Sequence, residues 1–282
     1  MKKSEVVEQI LCDKNLVQPV KEAGIAFAPT NIALCKYWGK RDAELNLPVT
    51  SSLSIALPNK GAHVNLAIDQ SPIDRIHLNG KAILPDSGFY RRCVRYLDLF
   101  RTKTPWRLRI DIQMNIPVAA GLASSACGFA SLTAALDDLF GWQLDKSILS
   151  ILARMGSGSA SRSFWNGFVE WHAGESTDGF DCYSEPLSQQ WPGLCVGLIP
   201  LSDKEKPISS RDAMQRTVST SLLYAEWPKK VAQDMIVLKE ALTIHDFDLL
   251  GATAESNAMT MHATMLSSWP PVCYYLPETI AA

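Results

Sequence analysis

The sequence predicts an α+β protein, with strands and helices following one another in mixed order. Three observations predict it. Short runs with period-two or continuous apolar character recur through the first 115 residues. A charge-free, Ala-rich stretch then leads into a helix-length pattern, and helical periodicity dominates from 209 to 266.

Residues 4–12 place Val6, Val7, Ile10 and Leu11 on one face, as a short helix or an N-terminal arm. Residues 26–35, 50–57, 63–69 and 74–78 read as strands, and Asn79-Gly80 marks a hairpin-type turn after Leu78. A helix over 87–101 puts Cys93, Tyr96, Leu97 and Phe100 on one side, and 107–115 alternates as a strand. The uncharged loop 116–123 precedes a helix from Ser124 to Phe140, where Ser124 and Ser125 are N-cap candidates. A helix over 145–155 takes Asp145 as its cap, and a Gly/Ser turn leads on to Arg162. Residues 167–172 and 194–200 read as strands. Residues 209–266 read as mainly helical, broken near Pro228 and at Ile244-His245-Asp246. The turn-rich segment 173–193 sets a domain boundary near residue 190, giving domains of 1–190 and 191–282.

Composition narrows the function. A chain of 282 residues that is 47% hydrophobic and 20% charged has a normal globular balance. A net charge of -2 gives no reason to expect a nucleic-acid or anionic-membrane partner. The seven cysteines form no CxxC pair, which argues against a zinc ribbon or thioredoxin-type site and fits reduced thiols in a cytoplasmic protein. The histidines are dispersed, so no protein-held metal is expected. Glu5, Glu8 and Asp13 interrupt the N-terminus too early for a signal peptide. The charge-free stretch from Gln113 to Leu136 carries Pro117, Gly121, Gly128 and many small residues, which is too little apolar surface for a membrane span.

Four motifs carry candidate chemistry. PVAAGLASSACG at 117–128 offers close backbone approach and a helix N-terminus to a phosphate, or is a tight loop before a buried Ala-rich helix. GSGSASRSF at 156–164 converges on Arg162, a bidentate grip for carboxylate or phosphate, or is a surface loop. In APTNIALCKYWGKRD at 28–42, Lys36 and Lys40 flank Tyr37 and Trp38, as a polyanion grip or as solvated lysines at a strand end. In ISSRDAMQRTV at 208–218, Ser209 and Ser210 cap a helix while Arg211 projects from its first turn. There it opposes the dipole and favours an anion nearby, or it is simply exposed. Together the four imply a substrate with several negative charges, without identifying it.

APTNIALCKYWGK, PVAAGLASSA, GSGSASRS, SSRDAM and ESNAMTMHATML together closely resemble the mevalonate diphosphate decarboxylase family of the GHMP kinase superfamily, from about Ala28 to the C-terminus. KYWGK and the GSGSAxRS pattern separate the decarboxylases from other GHMP kinases. The resemblance implies an N-terminal domain like the second domain of ribosomal protein S5 and a ferredoxin-like C-terminal domain. It implies that ATP, with Mg2+, phosphorylates the tertiary 3-hydroxyl of mevalonate 5-diphosphate. Loss of phosphate and carbon dioxide then gives isopentenyl diphosphate. It implies an ATP loop of Ala120, Gly121, Ala123, Ser124 and Ser125. Lys36 would align the transferring phosphoryl group, with Arg162 and Ser159 also catalytic. Tyr37, Lys40, Ser210 and Arg211 would grip the diphosphate, while Ser157, Ser159 and Arg162 would hold the carboxylate and hydroxyl end. A homodimer is implied too.

The sequence departs from the family in one respect. An Asp-Ala-Gly-Pro segment that follows the helix corresponding to 251–266, and sets an aspartate against the 3-hydroxyl, is not found here. An incomplete ferredoxin-like domain and little carbon dioxide release are therefore expected, with Asp42, Glu255 and His262 as unconvincing substitutes for that aspartate. Two alternatives follow: a related kinase or decarboxylase of the same fold, or a non-catalytic nucleotide-binding protein.

Overall fold

The computed structural model describes residues 1–101, 105–116, 124–199, 201 and 208–281. In chain order, α1 (Lys3–Ile10) precedes β1 (Gly24–Cys35), β2 (Lys40–Asp42), β3 (Leu47–Pro48), β4 (Ser52–Asp69), β5 (Arg75–Leu78) and β6 (Lys81–Ala82). Then come α2 (Gly88–Leu97), β7 (Arg107–Met114), α3 (Ser124–Phe140), α4 (Lys146–Gly156), β8 (Phe168–Trp171) and β9 (Ser184–Pro186). The chain finishes with α5 (Ser210–Thr220), α6 (Trp227–Ile244), α7 (Phe247–Leu266) and α8 (Pro277–Ala281).

β4 organises a seven-stranded sheet. β1 pairs antiparallel along one side of it. On the other side β8 takes Ser52–Ile55, and β7 takes Ala62–Asp69. The two strands expected at 50–57 and 63–69 are therefore one. Thr30 faces Leu57 and Pro29 faces Gly61, so residues 58–60 bulge out of the β1 ladder. Pro58 has no N–H to give to that ladder, and the bulge accommodates it without ending the strand.

Alternation along the sheet divides the apolar residues between two cores. Ala62, Val64 and Leu66 of β4 join Ile110 and Ile112 of β7 beneath α3 and α4. Leu53 of β4, Cys35 of β1 and Phe168 of β8 instead join Trp227, Leu238 and Leu242 of α6 and Met265 of α7. The late helices thus share a core with the early strands.

Three expectations need correction. Residues 194–199 form no strand, because their apolar alternation finds no partner strand among the described residues, and Val196, Leu198 and Ile199 lie exposed. The described residues of 194–281 carry helices and no strand. Ser124 and Ser125 are not N-caps but the first two residues of α3. The helical break lies over 221–226, and Pro228 sits in the first turn of α6, where its missing N–H costs no helical bond. No helix among the described residues is long and apolar enough to cross a membrane.

Candidate functional site

α4 ends at Gly156, Ser157 is extended, and residues 158–162 make one 3-10 turn. Glycine is required at 158, since a Cβ there would lie 2.9 Å from the Tyr37 ring and 3.0 Å from Trp171. The turn delivers Arg162 into the interior, only 2% exposed. Its Nη1 donates to Ser52 Oγ at 2.5 Å, and its Nε and Nη2 donate to Asn31 Oδ1 at 3.4 and 3.3 Å. The guanidinium lies 5.8 Å from the Trp171 ring centre. All these partners are neutral. Burial pulls the guanidinium down to about 10, so it stays charged at neutral pH.

Asn31 extends the network, its Nδ2 donating to Ser163 Oγ at 2.8 Å and to the Ser159 carbonyl at 3.3 Å. Ser159 Oγ lies 3.3 Å from Ser157 Oγ, which lies 3.3 Å from Ser125 Oγ in the first turn of α3. A chain of hydroxyls therefore runs from an exposed helix start to a buried cation. The Tyr37 hydroxyl is buried beside it and has no hydrogen-bond partner among the described residues. Burial raises that phenol, keeping it a neutral donor.

Lys36 follows the last residue of β1. Its Nζ donates to the Ala33 carbonyl at 2.8 Å, and its backbone N–H donates to Asn257 Oδ1 at 2.8 Å. Burial, then the charge of Arg162, lowers the ammonium below the ordinary lysine range. Asn257 also donates to Asp234 Oδ2 at 2.8 Å, so α6 and α7 jointly clamp the strand end that carries Lys36.

Beyond Lys36 the chain turns sharply. Tyr224 Oη and Trp227 Nε1 both donate to the Trp38 carbonyl, at 2.9 and 3.0 Å. Gly39 has φ +103, and a Cβ there would meet Tyr224 Oη at 1.7 Å. The turn carries Lys40 to a cleft of about 600 Å³. Lys40, Arg211, Lys3, Arg92 and Arg95 line this cleft with a single carboxylate, Glu44, over an apolar floor that includes Phe129 and Met155. Lys40 Nζ donates to Asn46 Oδ1 at 2.6 Å. Burial, then the like charges of Arg211 and Lys3, pull Lys40 down to about 8. None of the five cations forms an ion pair among the described residues. The cleft adjoins the hydroxyl chain, since Gly156 lines it and Ser157 is the next residue.

The sequence-predicted residues thus fall into two adjoining groups. Ser125, Ser157, Ser159, Arg162, Lys36 and Tyr37 gather around the buried cation, while Lys40 and Arg211 meet in the cleft. Ser210 joins neither; it opens α5 beside Arg211, and its side chain lies against the Tyr274 hydroxyl. Ser124 is half-buried at the start of α3, and Ala120, Gly121 and Ala123 lie outside the described residues. Asp42 spends its carboxylate on the Leu45 N–H at 2.8 Å, Glu255 is exposed, and the His262 ring sits 4.3 Å from that of Tyr275. Sequence reasoning missed Asn31, Ser52, Asn257, Lys3, Arg92 and Arg95. Asn31 and Ser52 carried a signal, as polar residues inside otherwise apolar strand runs. No group of three or more His, Cys, Asp or Glu residues among the described residues is arranged to hold a metal.

The chain was compared with known proteins. The family model described as diphosphomevalonate decarboxylase-like N-terminal domain matches residues 28–184, and that described as mevalonate 5-diphosphate decarboxylase C-terminal domain matches residues 197–280. The diphosphomevalonate decarboxylase of Saccharomyces cerevisiae is 37% identical over 269 residues, covering 89% of this chain and 68% of the relative. That of Candida albicans is 38% identical, covering 89% and 74%. Among solved structures, MDDEF in complex with MVAPP, AMPPCP and magnesium superposes with a TM-score of 0.81 at 36% identity, covering 92% of this chain and 80% of the other. The mevalonate diphosphate decarboxylase of Staphylococcus aureus gives a TM-score of 0.81 at 35% identity, covering 92% and 79%.

Proposed function

Since the chain belongs to the diphosphomevalonate decarboxylase family, whose members are ATP-dependent carboxy-lyases, we propose that it converts mevalonate 5-diphosphate and ATP to isopentenyl diphosphate, ADP, phosphate and carbon dioxide. The observation that carries the assignment is a cleft of cations without ion-pair partners among the described residues, walled at Gly156 by the same chain segment that runs on through Ser157 to a buried arginine held by neutral partners. A substrate with a diphosphate at one end and a carboxylate at the other matches both. The ligands named in the MDDEF complex agree with this reading. The resemblance also brings a cytoplasmic location and a homodimer into the proposal.

In this reading Lys40 and Arg211 hold the diphosphate, and Arg162 receives the carboxylate. Arg162 needs no reorganisation to do so, because Asn31 and Ser52 already fix its plane. A cation held in place before the reaction stabilises charge at least cost. The Tyr37 hydroxyl, unpartnered among the described residues, bonds the substrate's oxygens, the long 3.3 Å contacts of Ser157 and Ser159 yield to it, and Ser125 offers its hydroxyl to ATP from an exposed helix start. Magnesium, when bound with ATP, neutralises charge on the phosphates. Phosphorylation of the tertiary hydroxyl turns it into a good leaving group, and its departure draws the electrons released by decarboxylation.

The test is to incubate the chain with carboxyl-labelled mevalonate 5-diphosphate and Mg·ATP, measuring ADP and labelled carbon dioxide together. Equal yields are expected, at a low rate, since among the described residues Asp42 is spent on the Leu45 N–H and Glu255 is exposed, so neither is placed as an acceptor for the hydroxyl proton. ADP without carbon dioxide would instead assign a kinase, and neither product would sink the reading.

A further inference from the structure

α1 lies ahead of the family match, which begins at residue 28, yet it is firmly built into the molecule. Val6, Val7 and Leu11 are buried to 1% exposure or less in the core beneath α3 and α4. Burial of three aliphatic side chains fixes the helix, and with it the position of its first residue. That residue is Lys3, which lines the cleft. Its backbone N–H faces Glu44 Oε1 at 3.4 Å, but its ammonium has no ion-pair partner within 4.0 Å among the described residues.

A compact ammonium near other cations is unfavourable unless an anion fills the space between them. Burial is the largest influence on Lys3 and lowers it, while the charges of Arg211 and Arg95 add to that lowering. The nearby Glu44 opposes them without forming a pair. The molecule thus uses α1 to bring one more positive charge into a cleft that already holds Lys40, Arg92, Arg95 and Arg211.

We propose that Lys3 is a substrate-binding residue that grips the terminal phosphoryl group of the diphosphate, and that α1 exists to place it there, so that the cleft selects diphosphates over monophosphates. The inference rests on the decarboxylase reading for the identity of the substrate. It rests on the geometry alone for the anion. A monophosphate carries fewer charges and reaches less far, so Lys40 and Arg211 satisfy it, whereas a diphosphate extends to a further donor. An ammonium with three rotatable donors suits a terminal phosphoryl group whose oxygens present no fixed plane. Ser125 lies outside the residues lining the cleft, so Lys3 acts on the substrate and not on ATP.

The experiment uses the full chain with Lys3→Ala and Lys3→Arg. Calorimetry with inorganic pyrophosphate and with inorganic phosphate reads the anion site without turnover. Steady-state kinetics with mevalonate 5-diphosphate, the 5-monophosphate and Mg·ATP reads selectivity. Lys3→Ala should weaken pyrophosphate binding and raise KM for the diphosphate by about tenfold, the lower end for a lost bond to a charged group. It should leave KM for ATP, the phosphate affinity and the melting temperature in place, and Lys3→Arg should restore most of the loss. Removing a like charge should also move the pH break set by Lys40 upward from about 8, which checks that the Lys3 ammonium shares the cleft with Lys40. Unchanged pyrophosphate affinity in a folded Lys3→Ala protein would overturn the proposal, as would equal losses for phosphate and pyrophosphate. If no mevalonate phosphate is turned over but pyrophosphate binding falls as stated, the anion site stands and the decarboxylase reading falls.

Discussion

The buried arginine and the basic cleft adjoin each other and are built in opposite ways. Arg162 is 2% exposed and held by Asn31, Ser52 and the face of Trp171. Arg211 is exposed and lines the cleft from the first turn of a helix. One cation is desolvated and oriented before any ligand arrives. The others line an open cleft, with Lys3 and Lys40 partly buried and the three arginines exposed, and act mainly through their summed field. The first arrangement suits a group that must act on a reacting end with little movement, and the second suits a handle that binds and releases. Desolvating an unneutralised cation opposes folding, so Arg162 is retained at a cost to stability that the partly buried Lys40 and Lys3 share to a lesser degree and the exposed arginines escape.

The sharpest way to break this comparison is Arg162→Met. Turnover should fall by about 10²–10³, as for loss of an oriented donor to developing charge. The melting temperature should change little, because the desolvation cost removed offsets the hydrogen bonds that Asn31 Oδ1 and Ser52 Oγ lose. Arg162→Lys should also turn over poorly, since a point charge cannot bond Asn31 and a carboxylate with one planar fork. Near-normal kcat in the lysine variant would make Arg162 a structural residue, and a collapse of Tm in Arg162→Met would do the same.

Arg211→Ala tests the other side. KM for the diphosphate should rise about tenfold or more, in line with ~1.5–3 kcal/mol for a bond to a charged group. KM for ATP and the melting temperature should not move. A rise confined to ATP would place Arg211 at the wrong end of the site.

The same contrast explains what was legible in the sequence. The longer strands and the helices α2 and α4 could be read because each carries a periodic or continuous apolar run, and α3 because its run is charge-free and buried nearly all round; the two- and three-residue strands β6 and β9 are too short to show a period and could not be read. Arg162 could be read because glycines and serines surround it at close spacing. Its partners Asn31 and Ser52 come from two distant strands, and only the pairing of β1 with β4 brings them together. Arg92 and Arg95 are three apart on the polar face of α2, where a sequence shows only solvated charge. Their meeting with Lys3 depends on the packing of α1, which local periodicity cannot reveal. The alternation at 194–199 was misleading for the same reason, because a strand also needs a partner.

Ser125→Ala is expected to have a smaller effect. The Ser125 hydroxyl lies 3.3 Å from Ser157 and is exposed, so little stability depends on it. KM for ATP should rise by about tenfold at most, with KM for the diphosphate unchanged. A change in the diphosphate KM instead would show that the hydroxyl chain serves the substrate along its whole length.

The smallest effect concerns pH, and it distinguishes the two regions without a mutation. Arg162 stays charged throughout the working range, but Lys40 is pulled down to about 8 from 10.5, first by burial and then by Arg211 and Lys3. Below pH 8 the ammonium is charged, and binding of the diphosphate should be flat with pH. Above pH 8 the free enzyme loses that proton. A bound diphosphate favours the charged form, so binding must take a proton up. KM should therefore rise from pH 8 to 9, by no more than tenfold for one proton. The folding side has the opposite sign. The unfolded chain holds more protons than the folded one between about 8 and 10.5, so the Lys40 contribution to stability rises with pH across that window and is lost again as pH falls through 8. Pyrophosphate calorimetry at pH 8.5 in two buffers of different ionisation enthalpy measures the uptake directly. A buffer-independent heat, with KM flat through pH 9, would remove Lys40 from the anion grip and leave Arg211 to set the affinity of the cleft.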